Sequence, residues 1–337
     1  MSGWTAALKN ASPDFIAVHI AVMSLLHNNS SRIPAAAEGS VLAIGNFDGV
    51  HLGHRALIEK ARDLARQNGR PLGVMTFEPH PRQFFQPEAE PFRLTPLSMK
   101  QRLLHDLGVN HLFVCEFNQA FSQLDETDFI EQILLRKFKA SHVVVGADFA
   151  FGHQRAGTVE TLAVAAAVGK FKLSVVPAVI SRDGQVYSST AIRNLLCQGK
   201  FAEAEKCLGW PWQIEAPIVH GDKRGRTLGY PTANQNIPEY VRIPFGIYAV
   251  KALIEGEDTW HDAVANFGIR PMFRVSQPIF ETFIFDFSSD IYGKKMRVMP
   301  IQHLRPERVF DDLPTLIAQM KEDCIAAKAV LKSTQAS

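Results

Sequence analysis

Hydrophobic positions along the first half of the chain fall into short solid runs separated by longer stretches with helical spacing. Val41–Ile44 is a continuous apolar run, and the segment from Arg55 to Asn68 carries Leu57, Ala61 and Leu64 along one face before Gly69. Further apolar runs follow at Leu72–Phe77, His111–Glu116, His142–Val145 and Lys172–Val176, with helical periodicity near 98–107, 127–139, 158–168 and 189–208. Solid runs predict strands buried on both faces, and alternation with helices predicts a parallel sheet covered on both sides. Ligands of such sheets gather at the carboxyl ends of the strands.

The pattern changes around GWPW, residues 209–212. From Gln213 to Pro300, short strand-like runs such as IYAVKALI and ETFIFDF are separated by Gly, Pro and charged turns, which predicts an all-β barrel or sandwich. Leu313–Leu331 has helical spacing, with Pro314 early, where a helix tolerates it. There is no internal repeat and no low-complexity tract. Two domains are expected from the 337 residues.

Composition adds limits. An apolar share of 46% is ample for two cores, and a net charge of +2 provides no broad basic field for duplex nucleic acid. Local basic clusters suit small phosphorylated ligands instead. Cys115, Cys197, Cys207 and Cys324 are scattered without a CxxC pair, which argues against a disulfide framework or structural zinc and fits a reducing cytoplasm. The apolar run FIAVHIAVMSLL, residues 15–26, is as long as a signal peptide core. Asp14 before it and His19 within it argue against export, and it is too short to span a bilayer. It is expected to be a cytoplasmic extension or a buried first segment.

Candidate chemistry begins with GNFDGVHLGH, residues 45–54. Gly45, Gly49 and Gly53 let backbone approach a ligand, and the following helix aims its amides and positive dipole end at the same place. His51 and His54, three apart on a first helical turn, face one side together. Donors so gathered suit nucleotide phosphates. A metal pair would want an acidic or cysteine partner at ligand spacing, and an ordinary turn with two exposed histidines is the bland alternative. VVGADFAFG (144–152) places Gly146 and Asp148 after another strand, although a core strand with its turn would look the same. YSSTAIRNLL (187–196) offers hydroxyls at Ser188, Ser189 and Thr190 to cap a helix with Arg193 on its first turn, a second anion-binding start or simply a good cap.

In the second half, VHGDKRGRTLGYPTAN (219–234) sets Gly221, Gly225 and Gly229 among Lys223, Arg224 and Arg226, a composition suited to a loop over phosphates. It is not a Walker loop, because no GK[ST] follows. Thr232 and Asn234 are two apart, so on an extended segment both face one way; with nucleotide phosphates they make a plausible magnesium site. Taken alone, PTAN is more ordinarily a turn or strand start. Alternation in ETFIFDF puts Glu281, Phe283, Phe285 and Phe287 on one face. An acid heading an aromatic face is placed to act as a base beside a flat apolar ligand, or to be a strand-end glutamate in solvent.

GNFDGVHLGH, FEPHP (77–81), VVGADFAFGHQRAG (144–157) and SSTAIR (188–193) resemble the FMN adenylyltransferase half of bacterial bifunctional riboflavin kinase/FAD synthetases, and the HxGH element is similar to that of the wider nucleotidyltransferase superfamily. HGDKRGRTLGYPTAN, FGIYAV, VANFGIRPMF, ETFIFDFSSDIYGKKMRV and LRPERVF resemble the riboflavin kinase module of the same family. The resemblance spans residues 25–330 in outline. It implies an α/β nucleotidyltransferase domain (HxGH, Rossmann-like parallel sheet) over 25–208, after an N-terminal extension 1–24. An all-β six-stranded riboflavin kinase barrel with a C-terminal helix follows over 213–335.

By that resemblance ATP lies over His51 and His54, with Gly45, Asn46, Phe47, Asp48, Gly49, Gly53 and Asp148 around the nucleotide and Arg193, Ser188 and Ser189 on its phosphates. FMN attacks the α-phosphorus and pyrophosphate leaves; FEPHP is either a ligand-bearing or merely a shaped loop. In the barrel, Thr232 and Asn234 hold Mg²⁺ with ATP, and Glu281 takes the proton of the ribityl hydroxyl. The loop with Gly221, Lys223, Arg224, Gly225, Arg226 and Gly229 covers the nucleotide. Ile269 and Met272 replace threonines usual in the family, which removes hydroxyls on the flavin side.

The implied partners are riboflavin, FMN and ATP, with no nucleic acid and no membrane, in a cytoplasmic monomer or weak homo-oligomer. The alternatives are an enzyme that retains one of the two activities, and a flavin or nucleotide sensor that binds without turnover.

Met23 lies inside the apolar run and is expected to be the translation start. Intact mass of the native protein checks this; a mass that includes residues 1–22 refutes it.

Overall fold

The computed structural model describes residues 26–28, 33–221, 228–269 and 278–335. The chain divides into two compact units, one formed by residues up to Ala89 with Leu97–Val186, the other by Glu90–Pro96 with Tyr187 onward.

The first unit is a six-stranded sheet in the order β1-β4-β3-β2-β5-β6, with every pairing parallel. The strands are β1 (Leu26–Asn28), β2 (Val41–Ile44), β3 (Leu72–Glu78), β4 (His111–Glu116), β5 (His142–Gly146) and β6 (Lys172–Val176). All four residues of β2 are buried, as a central strand covered on both faces requires. Helix α1 (Leu52–Asn68) lays Leu57, Ile58, Ala61 and Ala65 inward and stops at Gly69, whose left-handed φ of 60° lets its N–H reach Ala65 O. Helices α2 (Leu97–Asp106) and α3 (Val159–Ala167) match the expected segments.

Three expectations shift in this unit. The helix starts at Leu52 rather than Arg55, so His54 lies within its first turn and His51 is its N-cap. The stretch near 127–139 begins α-helical at Glu126 and continues with π-type bonding over Phe129–Lys137, where Phe138 N–H reaches back to Ile133 O. β1 precedes the first strand visible in the pattern and pairs with β4 at the sheet edge.

In the second unit six antiparallel strands close a barrel in the order β10-β11-β8-β7-β12-β9. They are β7 (Ile214–Val219), β8 (Ala233–Asn236), β9 (Gly246–Ile254), β10 (His261–Ile269), β11 (Pro278–Ile284) and β12 (Lys295–Arg305). Tyr248, Phe267, Phe280, Met296 and Val298 fill the interior. Gln235 is fully buried there, its amide donating to Ala216 O at 2.7 Å and Met296 O at 2.8 Å. The helical stretch 189–208 is two helices, α4 (Ser189–Cys197) and α5 (Phe201–Leu208), parted at Gly199 (φ 71°). Helix α6 (Leu313–Gln335) packs Ala327 and Leu331 on Ala249, Val264 and Phe285 outside the barrel. ETFIFDF alternates only to Ile284. Phe285 still joins the α6 cluster, but a turn follows with Asp286 at φ 53°, and Phe287 packs on His261 instead.

A forked ion pair fixes α6: Arg305 donates Nε–H to Asp323 Oδ1 at 2.7 Å and Nη2–H to Oδ2 at 2.6 Å, with Asp323 buried. Removing one partner of such a pair strands the other charge. Asp323→Ala is expected to destabilise the second unit by about 3 kcal/mol, measured by urea unfolding followed through tryptophan fluorescence; a loss below about 1 kcal/mol, the scale of exposed pairs, refutes it.

Buried thiol and imidazole groups mark the sheet. Burial pushes the Cys115 thiol up to about 12. Burial, with Lys172 and Lys60 adding to it, holds the His142 imidazole below its ordinary range, and His142 Nε2 sits 2.9 Å from Ser174 Oγ. Just below the unfolded value of ~6.5 the unfolded chain therefore binds the extra proton, so this group's contribution is present above that pH and lost as pH falls. His142→Asn is expected to flatten the fall in stability of the first unit between pH 7 and 5, checked by chemical unfolding at each pH. An unchanged slope refutes it.

Candidate active sites

Order in the sheet decides what meets at the first site. From β2 the chain passes to β3 on one side and later returns as β5 on the other, so β2 marks the point where winding reverses. Loops after these three adjacent parallel strands emerge at one carboxyl edge, the place where such sheets take ligands. They carry residues 45–51, Glu78-Pro79-His80 and Asp148.

The loop after β2 is strained. Phe47 and Val50 adopt positive φ (49° and 39°) on either side of Gly49 (φ 88°), costly for non-glycine residues and concentrated at functional sites. Gly45 keeps one ladder bond, N–H to Met75 O at 3.1 Å, and an added Cβ there would lie 3.3 Å from the Phe47 ring. Phe47, Asp48 and His51 are buried, whereas Asn46 is exposed. His51 Nδ1 accepts from His54 N–H at 3.3 Å, and the two rings stack with centroids 3.6 Å apart and planes 19° apart. With Nδ1 an acceptor, the neutral His51 ring carries its proton on Nε2 and presents a donor there. Gly53 follows in the first turn of α1, and Asp148 is exposed just past Gly146 at the end of β5.

A network that the sequence pattern did not announce braces this loop. Thr76, in β3, donates Oγ1–H to Asn46 O at 3.0 Å. Lys100, 1% exposed on α2, puts Nζ 3.4 Å from Thr76 Oγ1 and 3.2 Å from Glu78 Oε1. A lysine at position 100 looks like an ordinary helix-surface residue; only the fold buries it. The Glu78–Pro79 bond is cis, and His80 Nδ1 accepts from Arg82 N–H at 3.1 Å.

Ser188, Ser189 and Arg193 belong to the second unit. Ser188 caps α4, its Oγ accepting from Ala191 N–H at 3.2 Å. Arg193 donates Nε–H to Phe92 O at 2.7 Å and lies over the Phe92 ring at 5.2 Å. That anchor holds one side of the guanidinium.

In the barrel, three strands set one row of side chains. Asn234 on β8 is the direct partner of Glu281 on β11, and Glu281 is the direct partner of Asn266 on β10. Direct antiparallel partners point to the same face at ~5 Å. The carboxyl group thus stands between two amides, on the outward face shared with Phe283 and away from interior Phe280 and Thr282. Asn266 was not anticipated from the sequence. Thr232 is half-buried just before β8, and its carbonyl accepts from Asn234 Nδ2 at 3.2 Å. Gly221 comes so near that an added Cβ would lie 2.5 Å from Asn234 Nδ2, so a side chain there would push the Asn234 amide aside. Thr232 and Asn234 carry neutral side-chain oxygens of the kind that can hold a hard cation shared with phosphate oxygens. Among the described residues there is no cluster of three or more His, Cys, Asp or Glu side chains able to hold a metal by themselves. Gly229 is exposed, and Tyr230 packs its ring on Phe283 at 5.2 Å. Lys223, Arg224, Gly225, Arg226 and Met272 lie outside the described residues; Ile269 is half-buried at the end of β10 opposite Pro278.

Among the described residues, no helix is long and apolar enough to cross a membrane. Comparison with known proteins matches the family model for FAD synthetase over residues 33–191 and that for riboflavin kinase over 208–331. The bifunctional riboflavin kinase/FMN adenylyltransferase of Bacillus subtilis is 38% identical over 289 residues, 84% of this chain and 90% of that protein. The enzyme of the same description from Escherichia coli K12 is 37% identical over 306 residues, 91% and 97% of the two chains. A solved Streptococcus pneumoniae structure described as a macrolide-efflux protein superposes with a TM-score of 0.77 at 31% identity, covering 90% of this chain and 99% of its own. With two matched domains and relatives aligned over nearly their whole length, the chain belongs to the bifunctional riboflavin kinase/FMN adenylyltransferase family, which makes FMN from riboflavin and FAD from FMN at the expense of ATP.

Proposed function

We propose that the two reactions run at the two constellations just described, with functional domains over residues 25–208 and 213–335. For adenylyl transfer, residues 45–49 with Gly53 and Asp148 embrace the nucleotide, and His51 and His54 direct N–H donors at the triphosphate of ATP. A phosphate oxygen of FMN attacks the α-phosphorus, and the bond from that phosphorus to the bridging oxygen breaks as pyrophosphate departs with the electron pair. Arg193, Ser188 and Ser189 neutralise phosphate charge. No covalent nucleophile is needed: position and preset charge supply the catalysis. The strained turn after β2, braced through Thr76, supports this reading, since such strain persists only where the surroundings hold it.

For phosphoryl transfer, Glu281 accepts the proton of the ribityl hydroxyl while its oxygen attacks the γ-phosphorus and ADP leaves. Thr232 and Asn234 would hold Mg²⁺ together with the nucleotide, where the ion supplies charge neutralisation across the phosphates. Gly221, Gly229 and the basic residues Lys223, Arg224 and Arg226, with Gly225, cover the nucleotide. The observation that carries the assignment is the register that sets Glu281 directly against Asn234. The scattered free thiols favour the cytoplasm, and a monomer or weak homo-oligomer is the form we infer.

Two sites make a separable prediction. Glu281→Gln is expected to lower FMN formation from riboflavin by about 10²- to 10⁴-fold while FMN-to-FAD conversion continues. His54→Ala or Arg193→Ala is expected to do the reverse. Incubation with ATP, Mg²⁺ and either flavin, followed by chromatographic separation of riboflavin, FMN and FAD, reads both steps. A single change that stops both overturns the assignment.

A further inference from the structure

The connection from β3 to α2 does not stay with the sheet. Residues 90–96 belong to the second unit, as does α4 with Arg193. There Arg93 makes a strand-like pair with the loop between β8 and β9. Its N–H donates to Glu239 O at 3.1 Å, and its carbonyl accepts from Val241 N–H at 2.9 Å. Trp212, 2% exposed, donates Nε1–H to Leu94 O at 2.9 Å. Tyr240, between the two loop residues, is itself fixed by β7, its hydroxyl accepting Glu215 N–H at 2.7 Å. Phe92, Arg93, Leu94 and Thr95 are all buried. The segment is a clamped strap rather than a passing loop.

One peptide unit of the strap reaches both ways. Phe92 C=O and Arg93 N–H share a planar trans peptide, so they point in opposite directions. Glu239 holds the N–H, and the carbonyl accepts Arg193 Nε–H at 2.7 Å. The Phe92 ring adds a second contact, with the guanidinium carbon 5.2 Å from its centroid, inside the ~6 Å range of cation–π attraction. A guanidinium is planar and rigid, so fixing Nε–H and one face fixes the directions of both Nη groups. Ordering so flexible a side chain otherwise costs affinity at the moment of binding. We propose that Phe92 is a positioning residue of adenylyl transfer, through which the strap holds the Arg193 guanidinium preorganised for the phosphates of ATP. This rests on Arg193 carrying phosphate charge in that reaction. The support runs from residues 239–241 through the Phe92–Arg93 peptide to the arginine, so the framework of the barrel unit sets a group used in the other reaction.

Phe92→Leu removes the ring face and keeps the site apolar. In FMN-to-FAD conversion, kcat/KM for ATP is expected to fall about three- to tenfold with KM for ATP raised, while KM for FMN stays at the parent value. Riboflavin phosphorylation by the same chain, whose barrel shares the strap's unit, should continue at the parent rate and so reports folding. If it falls, Phe92→Met, a gentler change, is read instead; loss of phosphorylation in both variants overturns the inference, the ring then serving the fold. The deciding comparison repeats Phe92→Leu in an Arg193→Ala background, where its effect should vanish because the positioned group is gone. A residue that merely packs would cost the same factor in both backgrounds, and that result overturns the inference. If Arg193→Ala is impaired and Phe92→Leu is not, the inference fails and the role of the arginine stands. If Arg193→Ala converts FMN to FAD at the parent rate, the arginine assignment fails and the inference with it.

Discussion

Closure of the barrel leaves no free edge, so β11 is held by hydrogen bonds to β10 on one side and β8 on the other. A one-residue slip would break both ladders and turn Glu281 inward, against the packed aromatic interior. The position of the carboxyl group is therefore set by non-local pairing rather than by its own loop or rotamer. The parallel sheet works by the same logic in another geometry. Its order places three loop-bearing strand ends side by side, and the loops need only the right residues to become a site.

Both constellations use polar groups withdrawn from water, at different cost. Lys100 is almost wholly enclosed yet has Glu78 and Thr76 as partners, so the ion is compensated where it stands. Through Thr76 it reaches the backbone of Asn46 and stiffens the turn that φ values alone would disfavour. The barrel relies on neutral amides around one acid instead. The first arrangement fixes a shape; the second sets one carboxyl group between two side-chain amides.

Much of the first unit was legible because buried parallel strands leave solid apolar runs, and α1 closes on a glycine. The barrel strands were only partly so. Ala233–Asn236 reads ANQN, with no apolar alternation, and its strand character comes wholly from β7 and β11. Leu26–Asn28 hid at the end of an apolar run because three residues carry no period. The break at Gly199 was masked by continuous helical spacing on both sides. At the sites, glycine-flanked histidines and the PTAN segment announced themselves through local spacing. Lys100 and Asn266 could not, since neither has a sequence neighbour that gives it meaning; each acquires one only when distant strands pair.

Cys115 lies in β4 with its thiol pushed far from the range in which it would ionise. Thiolate, not thiol, is the reacting form, so the packed sheet shields this sulfur twice, by enclosure and by protonation. Its chemistry is then confined to moments when β4 separates from its neighbours. A thiol-reactive reagent would therefore reach it only through local opening of the sheet.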